Sequence, residues 1–171
     1  MIHIYHGDGK GKTTAAMGLA VRSAGCGNLV CVVQFLKGRA TGEIEVLSRI
    51  PEISVFRNDV DLGFAKFMSD EVKAQVTMMH NISLMNAIEK INAGECELLV
   101  LDELLDAYNL GLIDKNMVHT LFEMRPKELE IVLTGRNPDE YFLQQADYIT
   151  EMKKIRHPFD KGIGARRGVE F

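Results

Sequence analysis

Short apolar runs alternate along the chain with longer segments of mixed polarity. Runs rich in Ile, Val and Leu occur at residues 2–5, 29–36, 53–56, 98–102, 129–135 and 147–152, and their length and composition are typical of strands. The segments 12–24, 42–50, 69–93, 116–124 and 138–146 have helical character. Ser69 and Gly94 are natural caps for the longest helix, and Pro51 stops the second.

Strands that alternate with helices predict an α/β fold with a mostly parallel sheet and helices on both faces. With 171 residues, the chain is expected to form one domain over residues 1–171. Its tail, from about residue 153 to 171, is basic and glycine-containing, so we expect it to dock on another part of the structure.

The composition of the chain indicates which binding partners and which cellular compartment to expect. The net charge of −4 argues against broad binding of nucleic acid or membranes. The chain shows no apolar run of membrane-spanning length and no signal peptide. Cys26, Cys31 and Cys96 lack a C-x-x-C spacing and are interpreted as reduced thiols. These features predict a cytoplasmic protein.

A glycine-rich loop follows the first predicted strand, in the stretch YHGDGKGKTTAA at residues 5–16. It resembles the phosphate-binding pattern G-x-x-x-x-G-K-[ST] but is one residue shorter. The glycines allow a tight turn with inward N–H groups, the lysine offers a charge for phosphate, and the threonine hydroxyl can ligate Mg²⁺. The loop predicts a P-loop NTPase architecture of the RecA-like type. The residues expected to bind the nucleotide are Gly7, Asp8, Gly9, Lys10, Gly11, Lys12, Thr13 and Thr14, with Lys10 either on phosphate or solvated.

Two acidic residues end the apolar strand LLVLD-E, where P-loop proteins keep the carboxylate for Mg²⁺. Consecutive side chains of a strand point to opposite faces, so strand geometry alone favours Asp102 over Glu103. Gln34, Lys37 and Arg136 follow two other apolar strands. Ligands bind at the carboxyl ends of strands in such sheets, so these three side chains are further candidates for binding.

Several signatures of common nucleotide enzymes are missing. The chain has no arginine-rich lid of a nucleotide kinase and no N-K-x-D motif of a GTPase. His3, His6, His80, His119 and His157 share no spacing that would indicate a metal site. A bound nucleotide is therefore better supported than ordinary γ-phosphate chemistry.

Taken together, the motifs resemble one family, the ATP:corrinoid adenosyltransferases of the CobA/BtuR type. The resemblance covers nearly the whole chain and is carried by GDGKGKTTAA, VVQFLKG, LLVLDEL, VLTGR, ADYITEM and the closing HPFDKGIGARRGVEF. It implies that Co(I) of a corrinoid attacks C5′ of ATP, so that adenosyl moves to cobalt and tripolyphosphate leaves. ATP, Mg²⁺ and a corrinoid are the implied ligands.

The resemblance also implies roles for individual residues. The metal is held by Thr13 and by Glu103, which moves Glu103 ahead of Asp102 as the expected ligand. Arg22 and Arg136 match arginines near the nucleotide. Lys12 is expected to stabilise charge on the leaving triphosphate, and Arg136 is a candidate catalytic residue that could reach phosphate or ribose. A homodimer and an electron donor, either reduced flavin or a flavodoxin-like protein, are also implied.

Making Co(I) requires loss of the lower axial ligand of cobalt, which the family achieves with aromatic side chains beneath the corrin. Phe64 of DLGFAKF matches one such aromatic. Where some members have tryptophan two residues later, this chain has Lys66, and the adjacent Phe67 is a substitute. The alternative is that Phe64 and Phe67 pack in the core.

Two other functions stay open at the level of sequence. One is a different P-loop phosphotransferase or ATPase, which would release ADP rather than tripolyphosphate. The other is a carrier that binds ATP and a corrinoid without turnover.

Overall fold

The computed structural model describes residues 1–38, 41–58 and 68–169. Within those ranges one sheet of six parallel strands forms, in the order β3-β2-β4-β5-β1-β6. The strands are β1 (Ile2–His6), β2 (Val30–Gln34), β3 (Ile53–Arg57), β4 (Leu98–Asp102), β5 (Glu130–Gly135) and β6 (Tyr148–Glu151). The helices are α1 (Lys12–Ala24), α2 (Gly42–Leu47), α3 (Asp70–Asn92), α4 (Leu104–Asn109), α5 (Lys115–Met124) and α6 (Glu140–Leu143), followed by a 3₁₀ turn at Pro158–Lys161.

Each face of the sheet has its own apolar core, because strand side chains alternate between the faces. On β2, Val30 and Val32 belong to the core formed with α1 and α2, whereas Cys31 and Val33 belong to the core formed with α3, α4 and α5. The α/β class with a parallel sheet and helices on both faces is confirmed. Among the described residues, no helix is long and apolar enough to cross a membrane.

The helix ends follow the capping signals of the sequence. Ser69 caps α3, and its Oγ accepts a hydrogen bond from the backbone N–H of Val72 at 3.3 Å. Asp114 caps α5 in the same way. Helix α4 has no counterpart among the predicted elements, and α6 is much shorter than the predicted segment 138–146.

The carboxyl ends of the parallel strands meet at one edge of the sheet. Strand β5 lies between β1, which leads into the glycine-rich loop, and β4, which ends in the acidic pair. In register, Gln34 at the end of β2 lies beside Asp102 at the end of β4. This edge therefore brings residues from distant parts of the chain to one place.

Candidate active site

The glycine-rich loop lies directly against the end of β6. The N–H of Gly9 donates to the carbonyl of Met152 at 2.6 Å, and the N–H of Met152 donates to the carbonyl of His6 at 2.7 Å. A Cβ on Gly7 or Gly9 would approach that Met152 oxygen to 2.6 or 2.5 Å. The loop thus needs glycine at both positions because backbone from another strand occupies the space of a side chain.

The loop ends in an open helix N-terminus. Gly11, with φ 120°, precedes α1, and no described side chain caps the first turn. Nζ of Lys12 donates to the carbonyls of Gly7 and Gly9 at 2.7 and 2.8 Å. Burial, followed by the positive charge of Arg136, lowers the pKa of Lys12. The loop therefore holds a lysine and free helix N–H groups, a combination suited to phosphate oxygens.

Asp102 is the hub of the polar network beside the loop. Its side chain is fully buried. Oδ1 accepts hydrogen bonds from the hydroxyls of Thr13 (2.9 Å) and Thr134 (2.7 Å). Oδ2 accepts from the amide of Gln34 (3.1 Å) and the ammonium of Lys37 (2.8 Å). Both oxygens are thus committed to protein donors, which satisfies a buried carboxylate.

Glu103 has a different environment from its neighbour. Its backbone is left-handed, with φ 62°, and its N–H donates to the hydroxyl of Thr134 at 2.8 Å. The side chain lines the cavity, and its Oε1 lies 3.4 Å from Nζ of Lys37. Burial raises the pKa of Glu103, and the charge of Lys37 opposes that rise. Glu103 is therefore the carboxylate of the pair that faces the cavity.

Lys37 connects both acidic residues with the loop. Its Nζ lies 2.8 Å from Asp102 and 3.0 Å from Oγ1 of Thr13, besides the contact with Glu103. Burial acts to lower the pKa of Lys37, but the attraction of Asp102 and Glu103 outweighs it and raises the pKa. The ammonium is thus held charged by the acidic pair.

Arg136 directly follows Gly135, the last residue of β5. Its N–H donates to Oδ2 of Asp106 at 3.0 Å, and its carbonyl accepts from Asn109 at 3.3 Å. Burial raises the pKa of Asp106, against the effect of Arg136. Helix α4 thereby fixes the backbone of Arg136, and the side chain of Arg136 lines the cavity.

These groups enclose a cavity of about 550 Å³, a size typical of pockets for small ligands. The tail forms part of its wall through His157 and Val169, and it is tied to the loop by a hydrogen bond from the N–H of Lys154 to Asp8 at 2.9 Å. The wall comprises Asp8, Gly9, Lys10, Gly11, Lys12, Thr13, Thr14, Leu36, Lys37, Glu103, Asp106, Leu110, Thr134, Arg136, His157 and Val169.

Most of the residues expected to bind the nucleotide or the metal line this cavity, but a few of them do not. Gly7 and the fully buried Asp102 are not among the residues that line the cavity. Arg22 is exposed in the last turn of α1, ten residues and roughly 15 Å along the helix from Lys12. Phe64 and Phe67 lie outside the described residues.

The sequence interpretation missed Thr134, Asp106 and Arg57. Thr134 joins Asp102 to Glu103, and Asp106 orients Arg136. Arg57, at the end of β3, donates to Gln34 Oε1 at 3.1 Å. The signal was present for two of them, since Arg57 is the last residue of β3 and Thr134 the next-to-last residue of β5, at the edge where the candidates were sought.

The fold is similar to that of a solved structure over nearly the whole chain. The chain matches EssC (ATPases 2 and 3) from Geobacillus thermodenitrificans with a TM-score of 0.52 and 19% identity, covering 98% of this chain and 34% of that one. The chain thus spans about a third of that protein's length. This similarity supports the P-loop ATPase type of fold and nothing more specific.

Similarity to curated proteins is closer. Corrinoid adenosyltransferases from Sinorhizobium sp and Pseudomonas aeruginosa are 36% and 35% identical, covering 100% and 98% of this chain and 80% and 82% of those proteins. The corrinoid adenosyltransferase of Escherichia coli K12 is 30% identical, covering all of this chain and 85% of that protein. The family profile described as ATP:corrinoid adenosyltransferase BtuR/CobO/CobP matches residues 1–171. The chain therefore belongs to the ATP:corrinoid adenosyltransferase family, whose members transfer the adenosyl group of ATP to a corrinoid.

Proposed function

We propose that the cavity holds ATP so that Co(I) of a corrinoid attacks C5′ of the ribose, with release of tripolyphosphate. The electron pair of Co(I) forms the Co–C bond, and the C5′–O bond breaks with its electron pair going to the triphosphate oxygen. The observation that carries this proposal is the meeting of the shortened loop, Lys12 and Arg136 around one cavity, in a chain of this family.

The leaving group explains why such a cavity suits this reaction. Tripolyphosphate departs with negative charge on its oxygens, and donors that are already oriented towards it lower the barrier. The N–H groups of the uncapped first turn of α1 are donors of this kind, and Lys12, whose ammonium is held at the loop by the carbonyls of Gly7 and Gly9, supplies a positive charge beside them. Arg136, whose side chain lines the cavity, supplies a further positive charge. Co(I) is itself a strong nucleophile, so the reaction needs alignment and charge stabilisation rather than a general base.

The residues at the acidic pair fit Mg²⁺. The Thr13 hydroxyl and the Glu103 carboxylate are oxygen ligands at the cavity, and the ammonium of Lys37 already contacts both. Among the described residues, no group of three or more His, Cys, Asp or Glu side chains could hold a metal. Mg²⁺ commonly uses one or two carboxylates together with substrate phosphates and water, so this set suffices.

In this arrangement, Thr13 and Glu103 would hold the metal, and Asp102 would orient Thr13 through the 2.9 Å hydrogen bond. When bound, Mg²⁺ would neutralise charge on the triphosphate. Thr134 keeps Asp102 and the backbone of Glu103 together. The two acidic residues thus have separate roles, one as a buried support and the other as a ligand.

The remaining parts of the proposal rest on family membership. We assign Phe64 and Phe67 to the corrinoid side of the site, where they would displace the lower axial ligand of cobalt. Arg22 has no place in this cavity, because it lies roughly 15 Å along α1 from Lys12. A homodimer in the cytoplasm with a reduced flavin or flavodoxin-like donor completes the proposal.

The test is an anaerobic reaction of the protein with ATP, Mg²⁺ and chemically reduced cob(I)alamin. We expect the Co(I) absorption to disappear while light-sensitive adenosylcobalamin and tripolyphosphate form. Formation of ADP without a Co–C bond would instead indicate phosphotransferase or ATPase chemistry. Binding of both substrates without any product would indicate a carrier.

Lys12→Ala tests the assignment of the triphosphate within the same reaction. Loss of one donor to a developing charge lowers turnover by about 10²–10³-fold, and we expect a loss of that order. Lys90→Ala is the matched control, because Lys90 pairs with Glu95 at the exposed end of α3. If Lys12→Ala retained the turnover of the control, the triphosphate assignment would be wrong.

A further inference from the structure

One side chain already occupies the position expected for a cation. Nζ of Lys37 lies 3.0 Å from Oγ1 of Thr13, 2.8 Å from Oδ2 of Asp102 and 3.4 Å from Oε1 of Glu103. Thr13 and Glu103 are the same oxygen donors that would hold Mg²⁺, and Asp102 supports them. A single ammonium therefore contacts every protein group assigned to the metal site.

The backbone of Lys37 is fixed on both sides, whereas its side chain is long. Leu36 adopts a left-handed conformation with φ 57°, and its N–H donates to Nε2 of His80 at 3.2 Å. The carbonyl of Lys37 accepts from Nη2 of Arg57 at 3.3 Å. The flexible four-carbon stem is then the part that can move without disturbing the sheet.

The charges explain why a cation is needed there without a metal. Asp102 is fully buried and Glu103 is partly buried, and two neighbouring carboxylates repel each other. Removing the partner of a buried charge is strongly destabilising. The ammonium of Lys37 supplies the positive charge that both acidic residues require.

We propose that Lys37 is a stand-in cation, which holds the acidic pair together when the metal is absent and leaves it when a divalent cation binds. This inference rests on the proposed metal site at Thr13 and Glu103. At the oxygens of Thr13 and Glu103, the exchange replaces one positive charge by two. Because Lys37 lines the cavity, its released ammonium remains available to the triphosphate. Metal binding would thereby add a donor for the leaving group as well as the metal itself.

Competition between Lys37 and the metal has a measurable consequence. If Lys37 leaves the metal site free in about one molecule in ten, that site binds Mg²⁺ about tenfold more weakly than a site that is always free. Lys37→Met removes the competing charge while keeping an unbranched side chain of similar length. In the absence of nucleotide, this variant should bind Mg²⁺ about tenfold more tightly than the unmodified protein.

Calorimetric titration of Mg²⁺ into the full chain without ATP measures this difference. Lys10→Met is the matched control, since it removes a lysine from the wall of the same cavity. Equal or weaker Mg²⁺ binding by Lys37→Met, compared with Lys10→Met, would overturn the stand-in role. Thermal unfolding gives a second readout: EDTA should lower the Tm of Lys37→Met, and Mg²⁺ should raise it more than it raises that of the unmodified protein.

A measurement on the unmodified protein covers the case in which Lys37→Met does not fold. Saturating Mg²⁺ should increase the rate at which an amine-acylating reagent labels Lys37, measured by mass spectrometry, while labelling of Lys10 stays constant. An unchanged rate at Lys37 would contradict its release. Failure of Lys37→Met to bind Mg²⁺ without ATP would overturn the stand-in role. The metal site itself is judged by Mg²⁺ binding with ATP present, because substrate phosphates complete its ligands, and adenosyl transfer is judged by its products.

Discussion

Thr134→Val tests whether one hydroxyl holds the acidic pair in place. Thr134 is almost fully buried at the end of β5. Its hydroxyl donates to Oδ1 of Asp102 at 2.7 Å and accepts from the N–H of Glu103 at 2.8 Å. Valine has nearly the same shape but can make neither bond, so the substitution removes the two interactions without leaving a large cavity.

The expected cost follows from these two bonds. A hydrogen bond to a charged group contributes about 1.5–3 kcal/mol, and a buried N–H left without a partner costs about 1–3 kcal/mol. Burying the added methyl group returns about 0.8 kcal/mol. The Glu103 backbone also has a left-handed conformation, which costs about 1–2 kcal/mol and depends on this support. We expect the free energy of unfolding to fall by about 3 kcal/mol.

Urea unfolding measures this loss. The chain contains no tryptophan, so far-ultraviolet circular dichroism is the appropriate signal. With a urea dependence of about 2 kcal/mol per M, the midpoint should fall by about 1.5 M. Thr134→Ser keeps the hydroxyl and should lose less than about 1.5 kcal/mol, the cost of a single buried methyl group. If the free energy of unfolding of Thr134→Val lay within about 0.5 kcal/mol of that of the unmodified protein, the hydroxyl would not hold Asp102 and the backbone of Glu103 in place.

Two further predictions concern the loop and a buried histidine. Gly9→Ala would place a Cβ 2.5 Å from the carbonyl oxygen of Met152, so ATP affinity should fall at least about tenfold, measured by calorimetry. Gly18→Ala, whose Cβ meets nothing within 4 Å inside α1, should leave ATP affinity unchanged and stabilise the fold slightly. His80 hydrogen-bonds the carbonyl of Leu112 at 2.7 Å, and burial lowers its pKa. The contribution of neutral His80 to stability is therefore complete above about pH 6.5 and is lost as the pH falls towards the lower pKa of the folded protein. His80→Asn cannot take up this proton, and its free energy of unfolding should fall less steeply below about pH 6.5; equal slopes would show that His80 does not contribute.

Local signals in the sequence were sufficient for much of the fold. Apolar runs predicted every strand of the described sheet, and the strand at residues 98–102 and the helix at 12–24 have the predicted bounds. Helix α4 was missed because its six residues, Leu104–Asn109, are too few to show a helical repeat of apolar positions. The shorter α6 shows that polar, helix-compatible residues such as Gln144 and Gln145 do not continue a helix without tertiary packing.

The loop could be recognised from sequence because its chemistry lies in consecutive residues. The network around Asp102 could not, since its partners Thr13, Gln34, Lys37 and Thr134 come from four separate segments that only the sheet order brings together. Strand alternation alone favoured Asp102 over Glu103 as the metal ligand. It could not show that Glu103 takes a left-handed conformation beyond the strand and faces the cavity.

The sequence by itself determined the alternation of elements, the phosphate loop and the family, because each depends on residues that are neighbours in the chain. Only the tertiary structure decided that Asp102 is buried, that Lys37 lies among the acidic residues and that the tail contributes to the cavity. The physical reason is that burial and electrostatic pairing depend on distances in space. Those distances are set by the register and order of parallel strands, which no local pattern encodes.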